Sequence, residues 1–314
     1  MSRKQIFLGV DGGGTKTEFV CIDDAGSVLA RHMEGTTYHL QVGLDGAVQA
    51  LQAGIAAICA QAGFTPANLA FTFFGLPAFG EDNVVDPQLE QHCGRLLGHD
   101  RYRCGNDMIS GWAGSLGCAD GINLVAGTGS IGYGERQGKA ARVGGWGEVF
   151  SDEGSAYWIA IQGLNAFTRM SDGRLPKGPL HNVFRSHFGL RADLDICAAV
   201  MGERGLERDQ IAGLARVVAE AVAAGDAAAI AIHDKAADEL AAMADALRLE
   251  LGFAPGEAVP LSWSGGVLTN DVSVRTRLET RLSGRGPYEL IEPRYPPAYG
   301  AALYAAHQVG VLPV

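Results

Sequence analysis

Two glycine-rich loops carry the residues of this chain that could do chemistry. The first is the run DGGGTKT at 11–17, and the second is the run AGTGS at 126–130. Each follows a short apolar run typical of a β-strand, and each contains threonine or serine hydroxyls. Glycines let backbone N–H groups crowd around an anion because no Cβ stands in the way. Two such loops predict two halves that grip one polyphosphate, which indicates an ATP-dependent phosphotransferase.

Two carboxylates stand where predicted strands end. Asp11 closes the strand before the first loop, where it could orient Mg²⁺ through water, since Mg²⁺ prefers carboxylates and retains waters. Asp107 ends a predicted strand and starts a predicted helix. It could be a helix N-cap, or a general base aimed at a hydroxyl nucleophile. Phosphoryl transfer needs little beyond positioning, charge neutralisation and one such carboxylate, and position alone leaves both interpretations open.

A patch of polar and aromatic residues follows the second loop. It comprises the runs GGWGE at 144–148 and SDEGS at 151–155. An aromatic face beside carboxylates is a common way to hold a sugar, because hydroxyls need acceptors and C–H faces need an apolar plane. The alternative is an acidic helix N-terminus with a buried tryptophan.

Each glycine loop also has a simpler interpretation. Either one could be a hairpin turn with surplus glycines, although a third glycine turn at 264–266 weakens that view. The glycines of 127–132 also fit the dinucleotide pattern GxGxxG. That fingerprint needs a helix that starts inside the loop, whereas 133–138 is typical of a strand and turn. No P-loop pattern is present.

The elements that must position these residues follow from the hydrophobic pattern. Strands are predicted at 6–10, 17–22, 27–32, 69–74, 101–104, 122–125, 260–263 and 290–292. Helices are predicted at 44–62, 87–97, 108–117, 151–169, 208–224, 227–251 and 297–308. Because the strand–loop–strand pattern appears twice, we expect a duplicated α/β architecture with domains at 1–118 and 119–314.

Composition bounds the partners and the compartment. The chain has 314 residues, 47% of them hydrophobic, and a net charge of −10, which disfavours nucleic-acid binding. Its six cysteines form no CxxC pair and are typical of reduced thiols in a cytoplasmic protein. We expect no signal peptide and no membrane span, because no apolar run reaches about 18 residues.

Six runs together resemble a known family. The runs DGGGTKT, NDMISG, AGTGS, GGWG, SDEGSAYWIA and SGGVL look like the N-acetylglucosamine kinases of the BadF/BadG/BcrA/BcrD ATPase group, within the sugar kinase/Hsp70/actin superfamily. The resemblance covers nearly the whole chain. It implies two RNase H-like (actin-like ATPase) domains with an ATP cleft between them, a last helix that can pack back on the first domain, and a homodimer. The enzyme would transfer a phosphoryl group from ATP to the sugar 6-hydroxyl, with Mg²⁺ as cofactor.

The resemblance also implies roles for individual residues. Asp107 matches the catalytic carboxylate, and Asp11 would lie near Mg²⁺. The implied ATP contacts are Gly13, Gly14, Thr15, Lys16, Gly127, Thr128, Gly129, Ala212, Gly213, Gly265 and Gly266. The implied substrate contacts are Tyr38, His39, Asp107, Ser130, Gly145, Trp146, Gly147 and Asp152.

Two positions depart from the family pattern near the sugar. Tyr38 and Ile131 stand where the animal enzymes carry asparagines. The loss of two amide contacts leaves glucosamine or another hexosamine open as the substrate. Tyr38 could stack on the sugar or simply pack.

Two other function classes occur in related branches. Activator ATPases hold an iron–sulfur cluster with cysteines at a dimer interface, but the cysteines here are scattered along the chain. Sugar-responsive regulators carry a DNA-binding module, and the ten residues before Asp11 are too few for a helix-turn-helix. A kinase is therefore the leading hypothesis.

Overall fold

The computed structural model describes residues 4–203 and 205–311, which fall into two compact units. The first contains the described residues up to Asp120 together with those from Ile291 onward. The second spans Gly121–Leu290. The chain therefore returns to the first unit at its C-terminal end.

The described residues form strands and helices in alternation. The strands are β1 (Ile6–Gly12), β2 (Lys16–Asp23), β3 (Val28–Gly35), β4 (Phe71–Leu76), β5 (Tyr102–Asn106), β6 (Gly121–Ala126), β7 (Ser130–Arg136), β8 (Lys139–Gly144), β9 (Val259–Ser264) and β10 (Tyr288–Leu290). The helices are α1 (His39–Ala62), α2 (Asp86–Leu97), α3 (Met108–Leu116), α4 (Ala156–Ser171), α5 (Pro179–Phe188), α6 (Asp195–Met201), α7 (Arg208–Gly213), α8 (Ala215–Ala223), α9 (Ala227–Glu250), α10 (Gly266–Asn270), α11 (Val272–Ser283) and α12 (Pro297–His307).

Each unit is built on a five-stranded mixed sheet. The order in the first is β3-β2-β1-β4-β5, and the order in the second is β10-β9-β6-β7-β8. In both, the first three strands along the chain form an antiparallel meander, and the last two run parallel to the first. The two sheets therefore have one topology, and the predicted duplicated α/β fold is confirmed. In each, the carboxyl ends of the three parallel strands meet at one edge.

Helix α1 covers the first sheet. Its apolar residues Leu51, Ile55 and Ile58 recur at helical spacing and are buried in the core of this unit. By length and composition alone α1 could cross a membrane. It packs instead on β2 and β3, so we assign it as a core helix. The regular part begins after Gly43, whose φ of 72° interrupts the first turn.

Helix α12 belongs to the first unit, where small residues allow close contact. A Cβ on Gly9 of β1 would lie 2.0 Å from the backbone nitrogen of Ala302, so only glycine fits beneath the helix. Gly300 meets α3 in the same way, because its Cβ would lie 2.2 Å from the nitrogen of Gly114. The last helix is thus an integral part of the first unit's core.

Three predicted elements of the second unit need correction. Helix α4 begins at Ala156, not at 151, because Asp152 and Gly154 have positive φ and Ser155 caps the helix through the N–H of Trp158. The predicted helix 208–224 is interrupted after Gly213, a residue of low helix propensity. The GxGxxG run leads into strand β7 and not into a helix, so the dinucleotide interpretation is wrong.

Candidate functional site

The first glycine loop is the hairpin between β1 and β2. The Gly13 N–H donates to the Lys16 carbonyl at 2.8 Å, and the Thr36 hydroxyl donates to the Gly13 carbonyl at 2.7 Å. A Cβ on Gly14 would meet nothing within 4 Å, and Thr15 is exposed. Gly13 therefore anchors the loop, and open space lies beside Gly14, into which an anion can enter.

Asp11 and Asp107 lie at one edge of the first sheet. Asp11 is aligned with Gly75 on β4, and Gly75 with Gly105 on β5, just before Asp107. Desolvation, and then the charge of Asp107, raise the pKa of Asp11 well above its ordinary value of 3.8, while the Ser110 hydroxyl acts in the opposite direction. The two carboxyl groups therefore interact, and a cation between them would relieve their repulsion.

This donor set fits a magnesium ion that keeps most of its waters. Among the residues that the structure describes, no group of three or more His, Cys, Asp or Glu could enclose a metal. Mg²⁺ is commonly held by one or two carboxylates with waters and substrate phosphates. Asp11 beside an open glycine loop matches that pattern.

Asp107 occupies the N-cap position of α3 without acting as a cap. Its side chain makes no capping hydrogen bond. The neighbouring Asn106 accepts from the Met108 N–H at 3.1 Å and donates to the Phe79 carbonyl at 3.3 Å. The capping interpretation of Asp107 is therefore wrong, and its carboxylate is half-buried at the start of α3.

Tyr38 and His39 begin helix α1. Tyr38 is half-buried, and its ring lies edge-on to that of His39. His39 is only 6% exposed, and neither ring nitrogen has a hydrogen-bond partner among the described residues. Since a buried polar group without a partner is costly, His39 indicates a place where a ligand or water completes the site.

The second glycine loop is tied to helix α4. The Gly127 N–H donates to the Gly129 carbonyl at 2.9 Å, which closes the turn. The N–H groups of Ala156 and Tyr157 donate to the carbonyls of Gly127 and Thr128 at 2.8 and 3.3 Å. The start of helix α4 therefore fixes this loop, whereas the first loop is a hairpin between two strands.

Asp152 lies against the second loop. It is buried and has a φ of 59°, which is uncommon for a residue other than glycine. A Cβ on Gly129 would lie 2.6 Å from its Oδ2. Next to it, the buried Ser130 hydroxyl donates to the Glu153 carbonyl at 2.7 Å. The loop and the predicted sugar carboxylate are therefore direct neighbours.

Arg208, which the sequence analysis did not identify, completes this cluster. Its Nη2 lies 3.4 Å from Asp152 Oδ2, and its Nε lies 3.0 Å from Glu148 Oε2. Desolvation raises the pKa of Asp152, and Arg208 is the main opposing influence. No spacing signal could have found it, because Arg208 is 56 residues from Asp152 along the chain.

The tryptophan of the polar and aromatic patch is exposed. Trp146 is 73% exposed between Gly145 and Gly147, both with positive φ, so the buried-tryptophan interpretation is wrong. Trp146 also borders a cavity of about 420 Å³ that Phe150 and Met243 line. Its aromatic face is available to a ligand of the second unit.

A larger cavity of about 960 Å³ lies within the second unit. Its size is that of sites for cofactor-sized molecules. It brings together five of the predicted ATP residues: Gly127, Thr128, Ala212, Gly213 and Gly266. Gly265 precedes α10, and its φ of 89° and a Cβ position 2.5 Å from the Ala126 carbonyl oxygen both require glycine.

Comparison with known proteins shows similarity along nearly the whole chain. An N-acetyl-D-glucosamine kinase of Dictyostelium discoideum is 29% identical over 312 residues, 96% of this chain and 98% of the relative. An N-acetylmuramic acid/N-acetylglucosamine kinase of Clostridium acetobutylicum is 28% identical over 301 residues, 95% of this chain and 97% of the relative.

A solved structure from Chromobacterium violaceum, described as a candidate N-acetylglucosamine kinase, shares the fold. Its TM-score is 0.74 at 26% identity, over 96% of this chain and 99% of that one. Residues 8–305 match the BadF/BadG/BcrA/BcrD ATPase family, to which this chain therefore belongs.

Proposed function

We propose that this protein is an ATP-dependent kinase that transfers a phosphoryl group to the 6-hydroxyl of N-acetylglucosamine. One observation carries the proposal. The second glycine loop lines a nucleoside-sized cavity with Gly127 and Thr128, and Gly129 of the same loop contacts the buried carboxylate of Asp152. A phosphate-binding loop between a nucleoside site and a polar sugar site is the arrangement that phosphoryl transfer to a sugar needs.

The nucleotide would use both glycine loops. Adenosine would enter the larger cavity of the second unit, where the small residues Ala212 and Gly213 leave room for a planar base. The phosphates would accept hydrogen bonds from the backbone of Gly127–Gly129 and of Gly13–Thr15. Mg²⁺, held by Asp11 through water, would neutralise charge on these phosphates when bound.

Asp107 would act as the general base. Its carboxylate is not used to cap α3, and it interacts electrostatically with Asp11. It would accept the proton of the sugar 6-hydroxyl as that oxygen attacks the γ-phosphorus, with the leaving oxygen in line. Backbone N–H groups of the loops would stabilise the charge on the transferred group.

Several polar and aromatic residues would hold the sugar. The unpartnered ring nitrogens of His39 could each bind a hydroxyl, and Asp152, which is paired with Arg208, could accept from another. The remaining contacts that the family resemblance suggests are Tyr38, Ser130, Gly145, Trp146 and Gly147.

The names of the relatives described above support N-acetylglucosamine as the sugar. A Cβ on Gly145 would lie 2.6 Å from Ile131 Cδ1, so the Ile131 side chain packs directly beside Gly145. An apolar side chain beside this predicted sugar contact would suit the methyl of an N-acetyl group better than a protonated amine. Glucosamine or another hexosamine is the alternative, because Ile131 and Tyr38 supply no amide.

We infer a cytoplasmic enzyme, because all six cysteines are free thiols. The homodimer is proposed from the family resemblance. Light scattering of the purified protein, which gives the mass in solution, would test the homodimer.

A substrate panel tests the proposed function. Glucose, glucosamine, N-acetylglucosamine and N-acetylmuramic acid would each be assayed with ATP and Mg²⁺ and ranked by kcat/KM. We expect N-acetylglucosamine to lead, with the product's ³¹P signal coupled to the C6 protons. A strong preference for unmodified glucose would contradict the amino-sugar assignment, and phosphate on another carbon would contradict the 6-hydroxyl.

A further inference from the structure

The lining of the larger cavity of the second unit is acidic on balance. Its lining includes the carboxylates of Asp209, Glu220 and Asp271 and one guanidinium, that of Arg216. Phosphates would be repelled from such a wall. The part of a ligand that lies there must instead offer neutral hydrogen-bond donors, such as hydroxyl groups.

Asp271 has one carboxylate oxygen engaged and one available. As the N-cap of α11, its Oδ1 accepts from the Val274 N–H at 3.1 Å. Its Oδ2 receives no hydrogen bond from any residue that the structure describes, and the side chain keeps 19% of its surface exposed. The capping bond fixes the carboxylate, so that the second oxygen is held in a defined position.

His233 of α9 stands behind this carboxylate. It is fully buried, its Nδ1 lies 3.1 Å from the Ser273 hydroxyl, and its Nε2 lies 3.6 Å from Asp271 Oδ2. A separation of 3.6 Å is too long for a hydrogen bond, and Nε2 has no partner among the described residues. A buried ring nitrogen thus points at the available oxygen of Asp271.

The charge state of His233 suits a donor role. Desolvation lowers its pKa from the ordinary 6.5, and Arg277 acts in the same direction, while Asp271 and Asp234 act against it. The ring is then neutral near pH 7. With Nδ1 accepting from Ser273, the proton stands on Nε2 and faces Asp271.

We propose that Asp271 binds the ribose hydroxyls of the nucleotide through Oδ2 and that His233, whose Nε2 lies 3.6 Å from this oxygen, is the positioning residue that orients the carboxylate electrostatically. The assignment rests on the proposed function, because it places the nucleoside in the larger cavity. A ribose diol offers the neutral donors that the acidic wall selects, and the phosphates would lie at the Gly127–Thr128 end. Asp271 would therefore decide between ribo- and deoxyribonucleotides.

The test compares ATP with 2′,3′-dideoxyATP in the whole protein. We expect the wild type to show a KM at least about tenfold higher for the dideoxynucleotide, as for a hydrogen bond to a charged group. Asp271→Ser keeps an N-cap oxygen but lacks Oδ2, so the two KM values should converge at unchanged kcat. The ratio of the KM for 2′,3′-dideoxyATP to the KM for ATP is the measure of discrimination. A ratio near one in the wild type, or a wild-type ratio in Asp271→Ser, would overturn the proposal.

Two further variants separate recognition from loosening of the fold. Asp238→Ser removes a carboxylate that also joins α9 to α11, through Arg281 Nε at 2.7 Å, but does not line the cavity. It should keep the wild-type ratio. His233→Leu should raise the KM for ATP and lower the ratio at unchanged kcat, whereas His233→Gln, which retains a donor, should restore part of it. Loss of the ratio in Asp238→Ser, or its retention in His233→Leu, would refute the assignment.

Nucleotide binding distinguishes this inference from the proposed function. The affinities for ADP and for 2′,3′-dideoxyADP would be measured by calorimetry without sugar. Tighter binding of ADP with no sugar phosphorylation would support Asp271 and reject the kinase. Equal affinities in an active kinase would reject Asp271 alone, and no binding of either nucleotide would reject both.

Discussion

The two units share one sheet topology but support their first hairpin loops differently. In the first unit the contacts of the loop include one backbone bond and the Thr36 hydroxyl, beside the interacting carboxyl groups of Asp11 and Asp107. In the second, helix α4 fixes the loop, and Asp152 packs against it. The fold therefore decides where a glycine loop forms, and the surrounding residues would decide which part of the proposed reaction each loop serves.

The glycines of the two loops show the same contrast. A side chain at Gly14 would enter open space, whereas one at Gly129 would collide with Asp152 and approach Arg208 Nη2 to 3.2 Å. Gly129 is thus required by the protein itself, and Gly14 only by whatever ligand approaches the loop. Variants at both units can break or sharpen this division of roles.

The largest effect is expected at the carboxylate of the first unit that we assign as the base. Asp107→Ala should lower kcat by about 10²–10⁴-fold, the usual contribution of a general base. Because no capping bond is lost, α3 itself should persist, and thermal unfolding measures what the other contacts of Asp107 contribute to stability. Steady-state kinetics with thermal unfolding as the control measures both, and a variant with near-wild-type kcat would remove Asp107 from the mechanism.

Local patterns predicted the sheets and both loops well. The strands before each loop are short apolar runs, and the last helix was expected at 297–308 and lies at Pro297–His307. Helix α11 is absent from the predicted helices because it is rich in arginine and buries only Val274, Leu278 and Leu282. The spacing of four residues between these three is nevertheless typical of one face of a helix and could have indicated it. Strand β8 has a single buried residue and lies at the sheet edge, so it carries little apolar pattern.

The site was predictable only where motifs are continuous. The loops and the acidic run after Trp146 could be found by spacing. Arg208 could not, because it joins Asp152 through a contact between elements far apart in the chain. Asp271 lines the same cavity as the nearby Gly266 but belongs to no motif of its own. The raised pKa of Asp11 likewise comes from desolvation in the folded unit and then from Asp107, which only the pairing of strands brings near.

A matched pair of alanine substitutions tests the contrast between the loops. Gly129→Ala should lower kcat/KM by roughly 10²-fold, because displacement of Asp152 misplaces sugar and phosphate together. It should also lower the melting temperature without nucleotide. Gly14→Ala should unfold like the wild type and lose affinity only for ATP. Equal unfolding temperatures for the two variants would contradict the difference in support.

The ion pair of the second unit predicts a pH effect. Arg208 opposes the desolvation that raises the pKa of Asp152, so Arg208→Gln should raise that pKa further. Less of the carboxylate is then ionised in acid, and the KM for the sugar should rise by up to about tenfold per pH unit on the acid side. Arg174→Gln, which breaks an exposed pair with Asp172, is the control. Parallel pH profiles for wild type and Arg208→Gln would exclude this role.

The smallest effect is a gain in stability at the first unit's acidic edge. The native pKa of Asp11 lies above 3.8, so between these values the folded state binds more protons and its stability falls as pH rises. At pH 7 Asp11→Asn removes this penalty, and each kcal/mol regained raises Tm by about 2–4 °C.

Asp152→Asn of the second unit is the matched variant, because its carboxylate already has Arg208 as a partner. This variant should gain little stability or lose some, because the neutral amide removes one of the two negatively charged partners of Arg208. Thermal unfolding without nucleotide at pH 4 and pH 7 would measure both, and the advantage of Asp11→Asn should shrink at the lower pH. Equal gains in Tm for the two variants would mean that both units tolerate their carboxylates alike. The proposed difference between Asp11, which we assign to Mg²⁺ through water, and Asp152, which is paired with Arg208, would then disappear.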